Sequence, residues 1–323
     1  MNSDESQAIK AKVAGAFRKA PASISAADLQ NAEFKPIGWV VPDICPDGLT
    51  LLGGKPKRGK SWLALDMCNT VARGGYTLGD RKCIEGDVLY AALEDNQRRL
   101  KGRMKKVCPT GAWSPRLTFW TEMPRIEDGG IDDLRAWIAS QPRPRLIVID
   151  TLVKVRAAKD KGENVYDADY RTTAPLKQLA DETGVAVLLI HHLRKQGAEE
   201  DPFDAISGST GLTGVVDTIL VLNRSGNGET LYGRGRDIPE IELAVQFDKE
   251  SCRWSVLGDA DEVHRSKERT VILDALKLAP DPMTPRDVTD VTGSSYASVR
   301  RLLAAMFAAG QIKRPERGKY AAF

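Results

Sequence analysis

Histidine is the scarcest reactive residue here, with three in 323 residues, and the five cysteines (Cys45, Cys68, Cys83, Cys108, Cys252) are scattered. No C-x-x-C pair occurs and no histidine lies near a cysteine, which excludes a zinc-finger type of site and a disulfide framework. A reducing cytoplasm fits that usage. No apolar run approaches the ~20 residues that a membrane helix needs, and Met-Asn-Ser-Asp-Glu-Ser at the start has no signal-peptide character. A cytoplasmic protein without membrane contact is therefore expected. No internal repeat is present, which argues against a solenoid or propeller. Aromatic residues are only 6% of the chain, so few rings are available for stacking on bases.

Charge is nearly balanced overall, at +3, but it is unevenly placed. Residues 264–323 hold 11 Lys/Arg against 6 Asp/Glu, a net of +5, which leaves −2 for the rest. A basic C-terminal segment suits nucleic-acid phosphates, and a solvated basic tail is the plainer alternative.

Against this background one octapeptide stands out. Gly54-Lys55-Pro56-Lys57-Arg58-Gly59-Lys60-Ser61 fits G-x-x-x-x-G-K-[ST] without mismatch. The glycines let successive backbone N–H groups converge on an anion, Lys60 can reach the β- and γ-phosphates, and the Ser61 hydroxyl can ligate magnesium. The apolar run ending at Gly53 reads as a buried strand. From Trp62 onward the residues have helical character, which places a positive helix N-terminus beneath the phosphates. ATP with Mg2+ is the expected cofactor, held by residues 54–62.

Apolar β-type runs recur at 49–52, 87–93, 117–120, 146–149, 185–190 and 218–222, with helical patterns at 61–73, 96–107, 131–140 and 169–183 between several of them. That alternation predicts an α/β fold with a mostly parallel central sheet covered on both faces. Late strands at 241–247 and 253–257 suit an antiparallel edge hairpin. The organisation expected is an N-terminal arm over 1–34 with a helical stretch near 7–19, a core over 35–258, a charged linker over 259–265 and a small domain over 266–323. In that last segment Thr284 can cap a helix with Pro285 at its first position. A third helix over 295–309 and a basic hairpin after Gly310 complete a winged-helix pattern. Arg300 and Arg301 on that helix, and Lys313 and Arg314 on the hairpin, are its candidate DNA contacts.

Several residues are placed to do chemistry. Leu146-Ile-Val-Ile-Asp150 is an apolar strand ending in a carboxylate, so Asp150 is the expected partner of Ser61 at magnesium. Glu94 ends the strand after the P-loop helix and can polarise an attacking water. Asp95 is then the expected cap of the following helix. His191 and His192 follow an apolar strand at the same predicted edge. One of them can sense the γ-phosphate, and a packed structural histidine is the alternative.

The P-loop, Leu93-Glu94-Asp95, the strand ending in Asp150, Ile190-His191-His192 and Ser207-Gly-Ser-Thr-Gly211 together resemble the RecA-like ATPases. The likeness is greatest to hexameric DnaB-type replicative helicases and plasmid RepA helicases, and it spans roughly residues 35–258. The resemblance implies a homo-oligomeric ring, a hexamer, acting on single-stranded DNA. It implies that Glu94 activates water and that His191 or His192 couples nucleotide state to DNA-binding loops. It assigns channel-lining roles to the loops carrying Lys154, Arg156, Lys159 and Lys161, and Arg194 and Lys195. Surface loops without that role are the alternative, and Glu199, Glu200 and Asp201 are unfavourable beside a polyanion. In Tyr232-Gly-Arg234-Gly-Arg236, the resemblance makes Arg234 and Arg236 candidate arginine fingers for a neighbouring subunit's nucleotide. An ATP-driven DNA motor is the leading expectation. A DNA-binding regulatory ATPase whose winged helix reads duplex DNA is the runner-up.

Overall fold

In the computed structural model, the residues described are 23–34, 36–158, 164–193, 201–206, 210–225 and 228–323. The chain divides into two units, Met1–Ile37 and Gly38–Phe323. In the first, Ser25 accepts a hydrogen bond from the Asp28 amide and caps the short helix Ala26–Asn31. The helical stretch expected near 7–19 lies outside the described residues.

The second unit is built on a nine-stranded sheet. Its elements in chain order are β1 (Leu49–Gly54), α1 (Lys60–Val71), β2 (Asp87–Ala92), α2 (Gln97–Val107), β3 (Leu117–Trp120), α3 (Gly130–Ser140), β4 (Pro144–Asp150), α4 (Val165–Thr183), β5 (Ala186–His192), β6 (Thr218–Ser225), β7 (Gly228–Gly235), β8 (Ile241–Phe247) and β9 (Trp254–Asp259). The strand order is β9-β8-β7-β6-β1-β5-β4-β2-β3. From β6 to β3 all neighbours are parallel, while β6 through β9 form an antiparallel meander. The expected α/β core with a mostly parallel sheet is what forms.

The fully buried parallel strands explain why their sequences are continuously apolar instead of alternating. β2 and the last five residues of β4 are buried throughout. On one face Leu63, Met67, Tyr90, Leu100 and Met104 join α1 and α2 to the sheet. On the other, Leu134, Trp137, Leu176 and Leu179 join α3 and α4. Each such large apolar side chain, fully buried, contributes about 1.5–3 kcal/mol.

Three local expectations change. β7 was not anticipated: its Gly-Glu-Thr-Leu-Tyr-Gly-Arg-Gly composition reads as turn, yet pairing with β6 and β8 on both sides imposes extended backbone. The cap of α2 is Asn96, whose side chain accepts from the Arg99 amide at 2.9 Å, and not Asp95. The expected linker at 259–265 is helical. Asp259 accepts from the Glu262 amide at 3.1 Å and starts α5 (Ala260–Leu278), which packs on β8 and β9. Its charged first turns are exposed on one side, and that polarity imitated a linker in the sequence.

Beyond α5 lie α6 (Pro285–Thr292), α7 (Tyr296–Ala308) and the hairpin β10 (Lys313–Glu316) with β11 (Lys319–Ala321). Thr284 and Asp287 form a reciprocal capping box with Pro285 in the first turn. Ile272, Leu276, Val288, Val299, Leu303 and Met306 make a separate small core there. Among the described residues, no helix is long and apolar enough to cross a membrane.

Candidate nucleotide site

The phosphate loop joins β1 to α1 at the carboxyl ends of the parallel strands, where open α/β sheets bind ligands. Lys57 and Gly59 both have left-handed backbone, with φ of 61° and 87°. This turns consecutive N–H groups inward as an anion cradle. Gly59 is required twice over, because a Cβ there would also come 2.8 Å from the Trp254 ring. Trp254 in turn donates from its indole to the Gly59 carbonyl at 3.2 Å and so braces the loop from β9. Beside the loop a cavity of about 420 Å3 is lined by Lys57, Arg58, Trp62, Phe247 and Trp254, among others.

Lys60 is buried at the mouth of this loop. Its ammonium donates to the carbonyls of Gly54 at 2.6 Å and Lys55 at 3.1 Å, and it lies 3.1 Å from Nδ1 of His192. Burial lowers its pKa to about 8, against the opposing pull of Asp150 and Glu94. His192 is also held below its ordinary value, by burial and then by the Lys60 charge. A neutral imidazole whose Nδ1 lone pair accepts from Lys60 is the consistent arrangement. Register explains the contact: β5 pairs with β1 so that His191 stands opposite Gly53 and His192 opposite Gly54. The histidines are the last two residues of the strand, not residues beyond it. Of the two, His192 touches the P-loop lysine.

Asp150 ends β4, two strands away, and is buried. The Tyr90 hydroxyl, fully enclosed in β2, donates to its Oδ2 at 2.7 Å. Burial pushes the Asp150 carboxyl up, while hydrogen bonds from Tyr90 and Ser61 and the charge of Arg103 oppose that. Ser61 and Asp150 are thus adjacent, a hydroxyl and a carboxylate. No group of three or more His, Cys, Asp or Glu side chains among the described residues could hold a metal. That donor set fits magnesium, which takes one or two protein oxygens and completes its shell with water and phosphates. It does not fit zinc.

Tyr90 was not anticipated from the sequence, where its one signal is a phenol inside an otherwise Val-Leu-Ala-Ala strand. Because it fixes one oxygen of Asp150, Tyr90→Phe is expected to weaken magnesium affinity about tenfold or more, the usual cost of losing an outer-shell partner. Titrating Mg2+ against a fluorescent ATP analogue tests this, and an unchanged midpoint would refute the role.

Glu94 follows β2 at the same edge. Its Oε1 lies 3.4 Å from the Thr151 hydroxyl, and its charge acts on both Lys60 and His192. Asp95, freed from capping, pairs with Arg99 at 2.9 Å and with Arg103. The Arg103 guanidinium lies 4.7 Å over the Trp62 ring, so this chain of contacts ties α2 to the first turn of α1.

Other candidates lie elsewhere. Arg234 and Arg236 stand at the opposite end of the sheet, since Gly235 pairs with Thr218, the first residue of β6. Arg234 pairs with Asp201 at 3.1 Å and covers the Phe203 ring at 4.0 Å. Arg236 donates to the Gly214 carbonyl at 3.0 Å. Neither reaches the P-loop of its own chain. Lys154 is exposed on the short helix 152–155, but Arg156 is committed to the buried Asp169 and is a fold contact. The other expected loop cations, Lys159, Lys161, Arg194 and Lys195, lie outside the described residues. Arg300, Arg301, Lys313 and Arg314 are all exposed, with Arg314 lying 5.2 Å over the Phe307 ring.

Fold and site together define a RecA-like P-loop ATPase. The family model for the AAA domain matches residues 17–198, more than half of the chain, and the chain belongs to that family. The DNA repair protein RadA of Halalkalibacterium halodurans is 29% identical over 182 residues, which is 55% of this chain and 33% of that protein. RadA of Mycobacterium tuberculosis is 26% identical over 242 residues, or 71% and 45%. The chain therefore spans less than half the length of these curated relatives. Among solved structures, a DnaB-like replicative helicase studied with primase is 15% identical with a TM-score of 0.54, over 77% of this chain and 70% of that one. A solved ATPase domain is 16% identical with a TM-score of 0.52, over 65% and 85%. These structural likenesses concern the fold.

Proposed function

We propose that this protein is an ATP-hydrolysing DNA motor, in its most specific form a ring helicase for replication of a plasmid, phage or other mobile element. The observation that carries the reading is the contact between Lys60 and His192. When phosphate oxygens draw the Lys60 ammonium away from the Gly54 and Lys55 carbonyls, His192 loses its donor. His192 ends the strand that leads directly into the segment carrying Arg194 and Lys195. Nucleotide state is thereby linked to a candidate DNA-binding loop through two residues.

In this mechanism the P-loop amides and Lys60 would bind the phosphates, and Ser61 and Asp150 would hold Mg2+, which when bound would supply electrostatic neutralisation of the phosphates. Glu94 orients and polarises the attacking water. Lys154, with the basic loop residues, would track the strand's phosphates. Segment 266–323 would act as a winged helix, with Arg300 and Arg301 toward the groove and Lys313 and Arg314 on the backbone. The similarity to DNA repair and replicative helicase proteins supports DNA as the partner.

Because Arg234 and Arg236 stand far from their own phosphate site, any finger role operates between subunits of a ring. Arg234→Ala or Arg236→Ala should then lower kcat by about 10³–10⁵-fold. Mixing such a variant with Lys60→Ala subunits should restore part of the activity. No recovery on mixing would count against a shared site. The decisive test of the motor is mass in solution with and without ATP and single-stranded DNA, followed by displacement of a forked duplex. ATPase activity without DNA stimulation or unwinding, joined to a strong preference for one duplex sequence, would instead favour a regulatory ATPase.

A further inference from the structure

Residues 96–121 hold seven Lys and Arg and no Asp or Glu. Most of that charge lies on α2, whose two sides are built differently. Leu100, Met104 and Val107 are buried, whereas Arg98, Lys101, Gly102 and Lys105 recur at i, i+3, i+4 and i+7 and share one exposed face. Asp95, just before the helix, is taken by Arg99 and Arg103, and no ion pair among the described residues engages Arg98, Lys101 or Lys105. Glycine inside a helix weakens it relative to alanine. Yet a Cβ at Gly102 would meet nothing within 4 Å. The backbone is thus bare between cations, where a phosphate can approach it closely.

Beside this face runs a groove of about 380 Å3, lined by Leu100, Met104, Trp113, Leu117 and Phe119, with Lys101 at its rim. The Trp113 indole donates to the Cys108 carbonyl at 3.2 Å, which fixes the ring while the residue stays 38% exposed. The acids Glu122 and Asp133 line the groove on the opposite face of β3. Free cations beside a fixed, accessible ring suit an unpaired nucleic-acid strand, because the cations follow the phosphates and the ring takes a base face. A duplex keeps its bases paired and would leave the groove unused.

We propose that the exposed α2 face and the Trp113 groove form a second binding site for single-stranded DNA, separate from the candidate channel loops. α2 packs through Leu100 and Met104 on one face of the sheet, while Leu152 and Val155, on either side of Lys154, pack on the other. The site therefore holds a strand outside the route served by those loops. Phosphates lie along Arg98, Lys101 and Lys105, across the bare backbone at Gly102, and one base stacks against Trp113. The proposal rests on DNA as the partner of this protein and adds a place where a strand is held.

The test uses the full chain and fluorescein-labelled (dT)12, followed by anisotropy across a salt series. The parent should bind. Arg98→Gln, Lys101→Gln and Lys105→Gln together should weaken binding at least about tenfold and flatten the dependence of log affinity on log salt by about two, at about 0.7 per phosphate contact. Trp113→Ala should weaken (dT)12 at least about fivefold without changing that slope, and Trp113→Phe should stay close to the parent. A probe of the same length made of abasic sites should bind the parent and Trp113→Ala equally. Gly102→Leu should raise the melting temperature and still weaken (dT)12, which separates the site from damage to the fold. An unchanged salt slope in the triple variant, undiminished binding by Trp113→Ala or Gly102→Leu, or an equal loss for the abasic probe would overturn the site while leaving DNA as the partner. No binding of (dT)12 by the parent would overturn both. Displacement by an aspartate oligomer as readily as by unlabelled (dT)12 would assign the face to an acidic protein and overturn the site.

Discussion

Lys60→Ala is expected to remove nucleotide-dependent activity, with kcat/KM for ATP falling at least about a hundredfold to a thousandfold, the scale for losing one preorganised electrostatic donor. The side chain is buried, and its contacts are the Gly54 and Lys55 carbonyls and His192, which hold its charge at the head of the loop in a way the exposed loop cations do not share. ATP should raise the melting temperature of the parent protein and not that of the variant, which tests binding apart from turnover. The lysine also leaves a signature without nucleotide. Its folded pKa, about 8, lies below the ordinary lysine value of 10.5. Between those two values the unfolded chain binds more protons than the folded one, so folding stability rises with pH through that window. Lys60→Ala should lack this increment. Parallel curves of melting temperature against pH for the two proteins would refute the buried, destabilised ammonium.

Glu94→Gln is expected to lower kcat by about a hundredfold to ten-thousandfold, the range for removing a positioned general base, while leaving ATP affinity nearly intact. The carboxylate is exposed and supports no buried network beyond its contact with Thr151, so the fold should tolerate the amide. Separate measurement of ATP binding and single-turnover hydrolysis distinguishes this from Lys60→Ala. A large loss of binding, or retention of turnover, would place the base elsewhere. Asp150 is the natural comparison, because its neutralisation should disturb magnesium first and water activation only as a consequence.

Much of the core was legible because its signals are local. A buried parallel strand must be continuously apolar, so 117–120 was read with the observed bounds and the strands at 49, 87 and 146 within a few residues. The Thr284 cap with Pro285 after it was legible for the same reason, since cap chemistry is confined to a few adjacent residues, while the return bond from Asp287 was not read. The failures have physical causes as well. β7 is strand only because two neighbours pair with it. The first turns of α5 are helical because Asp259 caps them and the sheet receives one face. Asp95 suited a cap by residue type, but Arg99 and Arg103 claim both its oxygens.

By itself, the sequence determined that a phosphate-binding loop follows one apolar strand and that carboxylates end two later ones. Loop, strand and cap chemistry act over a few consecutive residues. Only the tertiary structure decided which of those groups meet. Lys60 and His192 are 132 positions apart, Tyr90 and Asp150 60, and Gly59 and Trp254 195. Their contacts depend on strand order and register, which arise from packing the whole sheet between its helices. The same packing turned Arg156 from a candidate DNA contact into the partner of Asp169, and carried Arg234 and Arg236 to the far end of the sheet.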